Sequence, residues 1–234
     1  WAALYWGLKR QDPARAHETL DVSAMLSSAK DSRLLQFCGY TILIAIVMSQ
    51  LVVSLSVHGV TYAGLTEKQV GLLFALNGLV VTLIQMKVSR GLSRHSLTAA
   101  AALGCLLYAT GYGAMGWAAG FAAMAAAVIV VTVGEAVVSP SVQTIVVNLA
   151  PVKLKGRYVG LHGLSFQIGC ALGPLLGGLG LQYLSPRHPA LPWLAVGALA
   201  VAAAAGFARF GRLLRPEEQG LAIAVMGPEP MEVR

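Results

Sequence analysis

Long stretches without a charged residue are the feature that most constrains the fold of this chain. About 20 consecutive apolar residues are enough for a helix to cross a bilayer. Charged residues make up only 12% of the sequence, against roughly 25% in an ordinary globular domain. The pattern therefore predicts an all-α integral membrane protein. No Asp, Glu, Lys or Arg interrupts residues 34–66, 69–86, 95–134, 136–152, 158–186 or 188–208.

Six transmembrane helices are predicted, because a glycine-rich break at 111–120 divides the third stretch between two helices. Residues 1–33 are expected to be the end of a preceding helix plus a cytoplasmic linker, with 34–212 forming the six-helix bundle. The Pro- and Glu-bearing residues 213–234 are expected to be a disordered cytoplasmic tail. Asp31 and Ser32 are candidate caps for the first span. The predicted spans are 35–57, 70–86, 98–116, 121–149, 158–183 and 191–209.

Basic residues are distributed very unevenly between the two ends of these spans. Of the 17 Lys and Arg residues, only Lys68 and Arg187 fall in connections on one side. Because Lys and Arg mark the cytoplasmic side, we expect a multi-pass protein of the plasma (inner) membrane with both ends of this chain cytoplasmic. The net charge of +7 comes mainly from the basic residues on the cytoplasmic side. These basic residues are not interleaved with aromatic residues as they are in nucleic-acid sites. No nucleic-acid partner is predicted.

Neither an enzyme nor a metal or cofactor site is predicted. Cys38, Cys105 and Cys170 fall within spans without CxxC spacing, which is typical of small buried residues. Acidic residues and histidines do not cluster at metal-ligand spacing. His162 and Ser165 are close in sequence, but no third group follows to orient a nucleophile.

A glycine motif marks the fifth span, just after the basic residue Arg157. Glycines every four positions line one helix face and allow a neighbouring helix to approach closely. A proline inside the same helix removes a backbone donor and is expected to bend it. The motif consists of Gly160, Gly169, Gly173, Pro174, Gly177 and Gly178.

Glu135 is the only acidic residue inside a predicted span. Thr132, Ser139 and Gln143 lie on the same helix face, and Pro140 frees a backbone carbonyl nearby. A carboxylate at this depth is costly unless it is protonated, paired or in contact with water. Two interpretations remain open: a proton-titrating or substrate-contacting group that lines an aqueous cavity, or a buried structural residue bonded to another helix.

Amides in three other spans are candidates for the same cavity. Gln50 lies on the first span, Asn77 on the second and Gln167 on the fifth. Amide groups in hydrocarbon need hydrogen-bond partners, so bonding between helices is the favoured explanation and contact with a cavity is the alternative. For His162 an interfacial position near the cytoplasmic end is favoured, and for Tyr108 and Tyr112 packing or lipid-facing roles.

Several local patterns resemble the major facilitator superfamily. The sequence 149–151 followed by 156–160 is similar to the loop between the fourth and fifth helices of its C-terminal half, and Gly134, Glu135 and Pro140 fit the preceding helix. The segments 49–50 and 76–79 resemble drug-exporting bacterial members. The loop 87–95 is a degenerate counterpart of the family's acidic and arginine-rich loop, since it lacks the aspartate.

The glycine motif matches the antiporter pattern that the superfamily carries in the fifth helix of its first half. Three features nevertheless favour the second half: a helix end at residues 1–10, a long linker, and a fourth span without arginine. The sequence starts with Trp1 rather than Met, so we expect a fragment that lacks an N-terminal six-helix half. The resemblance covers residues 1–215.

The resemblance implies a secondary transporter that works by alternating access around a site near the membrane midplane. Proton-coupled efflux of small hydrophobic or amphipathic solutes is the expected activity, with the lipid bilayer and the missing half as partners. It places Gln50, Asn77, Glu135 and Gln167 as candidate cavity residues, and the stripe of polar residues adds Ser139. A non-transporting membrane scaffold or sensor, or an inactive fragment, remains the alternative.

Overall fold

The computed structural model describes residues 31–92 and 95–221, and six helical spans within them are long and apolar enough to cross a membrane. No strand occurs in this part of the chain, so the predicted all-α, six-span fold is confirmed. The predicted bounds differ from the observed ones by up to six residues, the largest difference being at the end of the second span, mainly because helices continue into the charged residues at the membrane surface. The helices are Ser32–Ser49 and Val53–Thr61 (together the first span), Glu67–Leu92, Leu97–Met115, Gly120–Leu149, Lys155–Tyr183 and Leu191–Phe210.

The first span is broken near its middle, which the sequence pattern did not predict. The backbone N–H groups of Gln50 and Leu51 donate to carbonyls three residues back, at 3.2 Å in both cases. Leu55 N–H donates to the carbonyl of Gln50, five residues back. A tight turn with bonds to the third residue back is therefore followed by a wide turn with a bond to the fifth residue back. Together they interrupt the regular helix after Ser49.

Asp31 caps the first span, as the sequence predicted. One carboxylate oxygen accepts from the backbone N–H of Arg33 at 2.9 Å. The other accepts from the Tyr158 hydroxyl at 2.8 Å. Since Tyr158 belongs to the fifth span, this one side chain both starts the first helix and ties two spans together at the expected cytoplasmic end.

The glycine face of the fifth span packs on the first span, and no side chain would fit between them. A Cβ added to Gly169 would lie 2.6 Å from the carbonyl oxygen of Ile42 and 2.5 Å from Ala45 Cβ. An added Cβ would collide with Ser49 at Gly173, and with Gln50 and Ser54 at Gly177. The backbones of the two helices are therefore in close contact at Gly169 and Gly173, and Gly177 leaves room for the side chains of Gln50 and Ser54.

The third span makes a similar contact with the fourth. A Cβ at Gly104 would lie 2.9 Å from the carbonyl oxygen of Gly134, and one at Gly111 would lie 2.9 Å from the backbone N of Val131. The sixth span packs behind the third, where Trp193 stacks on Tyr112 with ring centroids 5.8 Å apart. Tyr108 and Tyr112 are both buried, so they pack inside the bundle rather than face lipid.

The second and fifth spans are the least buried of the six. Both carry large apolar side chains that no other described element covers, and these residues give the bundle two broad apolar faces. Exposed examples are Leu72, Leu79, Leu83 and Met86 on the second span, and Leu164, Ile168, Leu172 and Leu175 on the fifth.

The chain after the sixth span folds back onto the bundle as far as Leu221. Arg33 Nη1 donates to the Glu218 carboxylate at 3.2 Å, and the Asn148 amide donates to the Glu218 carbonyl at 3.3 Å. The Gln219 side chain accepts from Thr98 at 3.1 Å and donates to the carbonyl of Gly211 at 2.7 Å. This segment, residues 214–221, contacts the first, third, fourth and sixth spans.

The expected boundary at 212 and a tail disordered from 213 therefore need correction over residues 213–221. Composition suggested disorder, but Glu218 and Gln219 have partners that are distant in sequence. Residues 1–30 and 222–234, with the expected linker and the rest of the tail, lie outside the described residues.

The glycine contact predicts a position-specific loss of stability. Gly169→Ala should lower the free energy of unfolding by about 1–3 kcal/mol, because the added methyl meets the Ile42 backbone, which cannot move alone. Gly178→Ala is the matched control, since nothing lies within 4 Å of its added Cβ. Thermal denaturation in detergent compares the two variants, and equal stability would contradict the contact.

The folded segment after the sixth span predicts a smaller effect. Glu218→Gln should lower the free energy of unfolding by up to about 1 kcal/mol, because it removes a partly exposed ion pair with Arg33. Glu217→Gln is the control, since the Glu217 side chain makes no hydrogen bond or ion pair within the described residues. Limited proteolysis should cut the Glu218→Gln segment faster than the Glu217→Gln segment, and equal cutting rates would refute its attachment.

Candidate functional site

A cavity of about 550 Å³ opens between the first, fourth and fifth spans. Its polar side chains come from three helices, and no Asp, Glu, Lys or Arg of the described residues lines it. Most of the remaining wall is formed by Val, Ile, Met and Phe. The lining residues are Thr41, Ile44, Met48, Val138, Ser139, Val142, Gln143, Val146, Val147, Val159, His162, Gly163, Phe166 and Gln167.

Two predicted site residues meet in this cavity. Ser139 and Gln167 come from the fourth and fifth spans, which contribute one wall each. Gln143 lies one helical turn beyond Ser139 and extends the polar strip. Between them, Pro140 has no N–H to donate, so the carbonyl of Ala136 lacks its helical partner. A solute in the cavity would therefore meet uncharged donors and acceptors on an otherwise apolar wall.

His162 is a cavity residue that the sequence analysis placed at the interface instead. Its Nδ1 lies 3.2 Å from Thr41 Oγ1, and that hydroxyl donates its own proton to the carbonyl of Phe37 at 3.0 Å. The Thr41 oxygen must then accept from His162, which requires the tautomer protonated at Nδ1. The ring's Nε2 is left as an acceptor without a partner in the described part of the chain. In the sequence, His162 and Phe166 are four residues apart and therefore share one face of the fifth span, and Phe166 also lines the cavity.

Glu135 lies outside this cavity, in a contact between the second and fourth spans. The Asn77 amide donates to Thr132 Oγ1 at 2.8 Å and to Glu135 Oε2 at 3.2 Å. The Thr132 hydroxyl donates a hydrogen bond to the carbonyl of Val128 at 2.7 Å, so its oxygen can accept the bond from Asn77. Both amide protons of Asn77 are thereby used.

The Glu135 carboxylate has one hydrogen bond and no basic partner among the described residues. Its side chain is half-buried, and its second oxygen accepts no bond within this part of the chain. Ser139 follows four residues later on the same helix, about 6 Å along the axis at 1.5 Å per residue. The carboxylate thus lies one turn from the cavity wall without belonging to it.

Gln50 also lies away from the cavity, and its hydrogen bonds are all internal. Its amide nitrogen donates to the carbonyls of Ile46 at 3.0 Å and Gly173 at 2.8 Å. Its oxygen accepts from Ser54 at 2.5 Å. The side chain is 1% exposed, so it fixes the first span against the fifth beside the glycine face.

No group of three or more His, Cys, Asp or Glu side chains in residues 31–92 and 95–221 is arranged to hold a metal ion.

The cavity predicts a difference in accessibility between two serines on one helix. In a protein freed of native cysteines, Ser139→Cys should react rapidly with a small neutral maleimide, because Ser139 lines the cavity. Ser141→Cys should react slowly, because Ser141 is fully buried. Mass spectrometry of the labelled protein gives both rates. Equal rates would contradict the position of the cavity.

Comparisons with known proteins agree with this architecture. The family model described as the Major Facilitator Superfamily matches residues 13–227. Among solved structures, the fold is shared with a POT family transporter crystallised in complex with a thioalcohol-conjugated peptide, at 17% sequence identity and a TM-score of 0.65. That match covers 77% of this chain and 41% of the transporter, so the chain spans less than half the length of that protein. No curated protein sequence gave a match.

A likeness at 17% identity supports the fold alone. The family model, in contrast, extends over nearly the whole chain, including all six spans and the segment after the sixth. This chain, with six membrane-spanning helices in its described part, belongs to the Major Facilitator Superfamily.

Proposed function

We propose that the protein containing this chain is a secondary active transporter, and that this chain forms its C-terminal six-helix half. The cavity between the first, fourth and fifth spans carries the proposal, because it combines apolar walls with convergent polar groups from three helices. A second six-helix half would supply the opposite wall. The two halves would rock about the site between them.

The cavity favours a small, uncharged, hydrophobic or amphipathic solute. Its walls are mainly aliphatic, and Ser139, Gln143 and Gln167 offer a few hydrogen bonds. No charged side chain in residues 31–92 and 95–221 lines it, so an ionised solute would lose its hydration without gaining a countercharge from this part of the chain. An uncharged amphipathic solute loses little solvation free energy on entering the cavity, because its apolar part exchanges contacts with lipid or water for contacts with the aliphatic walls.

Proton coupling is assigned to Glu135. Its half-buried carboxylate accepts from a single amide donor and has no basic partner among the described residues, and a carboxyl group inside a membrane span is typical of a proton or ion pathway. Asn77 belongs to the second span and Glu135 to the fourth, so a change of protonation alters a contact between two helices. The resemblance of segments 49–50 and 76–79 to drug exporters favours efflux as the direction.

Glu135→Gln should abolish proton-driven transport and leave the protein folded. The amide keeps the size of the side chain and an acceptor for Asn77, but it cannot bind or release a proton. Glu67→Gln is the control, since Glu67 is an exposed acid at the start of the second span. Efflux of uncharged amphipathic dyes is measured in membrane vesicles with an imposed pH gradient.

Retention of the wild-type pH dependence by Glu135→Gln would refute the coupling role. Absence of any dye movement in the wild-type protein would favour the non-transporting scaffold or sensor.

A further inference from the structure

A second depression lies between the fifth and sixth spans. It is lined by residues within 176–184 of the fifth span, whereas the cavity is lined by residues within 159–167 of the same helix. This lateral groove has a volume of about 480 Å³. Gln50 and Ser54 of the first span form its floor. Leu179 and Tyr183 of the fifth span and Ala195 and Val196 of the sixth form its walls.

Glycines open the groove between the two helices. Gly177 seats the fifth span against Gln50 and Ser54, which draws that helix toward the first span. One turn later Gly180 offers no side chain to fill the gap, and its added Cβ would only touch Pro192, at 3.5 Å. The groove therefore lies directly over the break in the first span.

Water is a poor occupant of the lateral groove. The polar groups on its floor already bond to one another, since Ser54 donates to Gln50 and both amide protons of Gln50 are used. A buried water needs about two to four polar partners, and among the buried side-chain groups that line the groove only the indole N–H of Trp193 lacks a partner in the described part of the chain. An empty groove would forfeit dispersion contacts along its whole length.

Both helices that border the groove are long and apolar enough to cross a membrane. Leu179 and Tyr183 on its rim are 42% and 63% exposed, and they lie on a helix that crosses the membrane. Tyr183 is the last residue of that helix, which is the level at which aromatic rings meet lipid headgroups. The groove thus runs from apolar depth to the membrane surface.

A positive charge follows the last residue of the fifth span closely in sequence. Arg187 follows Tyr183 by one turn, and its backbone N–H donates to the carbonyl of Leu184 at 3.0 Å. The side chain is exposed and has no acidic partner among the described residues. A guanidinium in this position suits a phosphate group, which it can bind through two parallel hydrogen bonds.

We propose that the lateral groove binds one acyl chain of a glycerophospholipid, whose phosphate pairs with Arg187. The site is separate from the transport cavity, because the contact between the first and fifth spans lies between them. Transfer of an acyl chain from the bilayer brings no hydrophobic gain, so packing in the groove and the phosphate contact supply the affinity.

Photo-crosslinking tests the acyl-chain site in the full-length protein. The protein is placed in phosphatidylcholine nanodiscs that contain a small share of phosphatidylglycerol with a photoreactive acyl chain, and adducts are located by peptide mass spectrometry. We expect adducts to concentrate in residues 176–199. Ala195→Trp should reduce them about tenfold, because the indole fills the groove.

Ala202→Trp is the matched control, since Ala202 is an exposed alanine of the same helix outside the groove. Ala195→Phe introduces a smaller side chain into the groove and should reduce the adduct yield by an intermediate amount. It replaces Ala195→Trp in the test if the tryptophan variant folds poorly. Unchanged adduct yield in Ala195→Trp and Ala195→Phe, or adducts spread evenly over all exposed apolar faces, would overturn the proposal.

Arg187→Gln tests the phosphate contact. The variant should lower crosslinking of the phosphatidylglycerol probe several-fold, with no change for a diacylglycerol probe that carries the same photoreactive chain. Equal loss with both probes, or loss with neither, would refute pairing between Arg187 and phosphate.

Discussion

Backbone contact between the first and fifth spans is the constraint on which the rest of the structure depends. Inside a bilayer, helices gain nothing from hydrophobic burial against each other, so close packing and hydrogen bonds must hold them. Gly169, Gly173 and Gly177 let the first span approach until an added methyl would collide with it. Gln50 then donates to the carbonyl of Gly173, directly before Pro174. The break in the first span falls at this residue, beside the glycine face.

The same contact places both candidate binding sites. At residues 159–167 of the fifth span, the fourth span completes the cavity with Ser139, Gln143 and Gln167. At residues 176–184, the sixth span completes the lateral groove. Any shift of the fifth span relative to the first changes the volume of the cavity and the volume of the lateral groove. A lipid bound in the groove and a solute bound in the cavity would therefore both act on the contact between these two helices.

Charge-free runs and basic loops were enough to predict six spans and most helix ends, because membrane thickness fixes both. The Asp31 cap could also be predicted from the sequence, since capping depends on neighbouring residues. The break at Gln50 could not be predicted, because no proline or glycine marks it. The Arg33–Glu218 ion pair could not be predicted either, because its members are 185 positions apart. The polar stripe of the fourth span divides between two environments, and only the packing of neighbouring helices decides that Glu135 meets Asn77 while Ser139 faces the cavity.

Proton binding at Glu135 is the step on which the proposed transport cycle depends. Infrared difference spectroscopy of the full-length protein in lipid, recorded across a pH titration, observes that step directly through the carbonyl stretch of a protonated carboxyl group. We expect one carboxyl band from a weakly hydrogen-bonded, half-buried acid, absent from a sample in which Glu135 is replaced by glutamine. A spectrum in which both samples show the same carboxyl bands would contradict the assignment of coupling to Glu135.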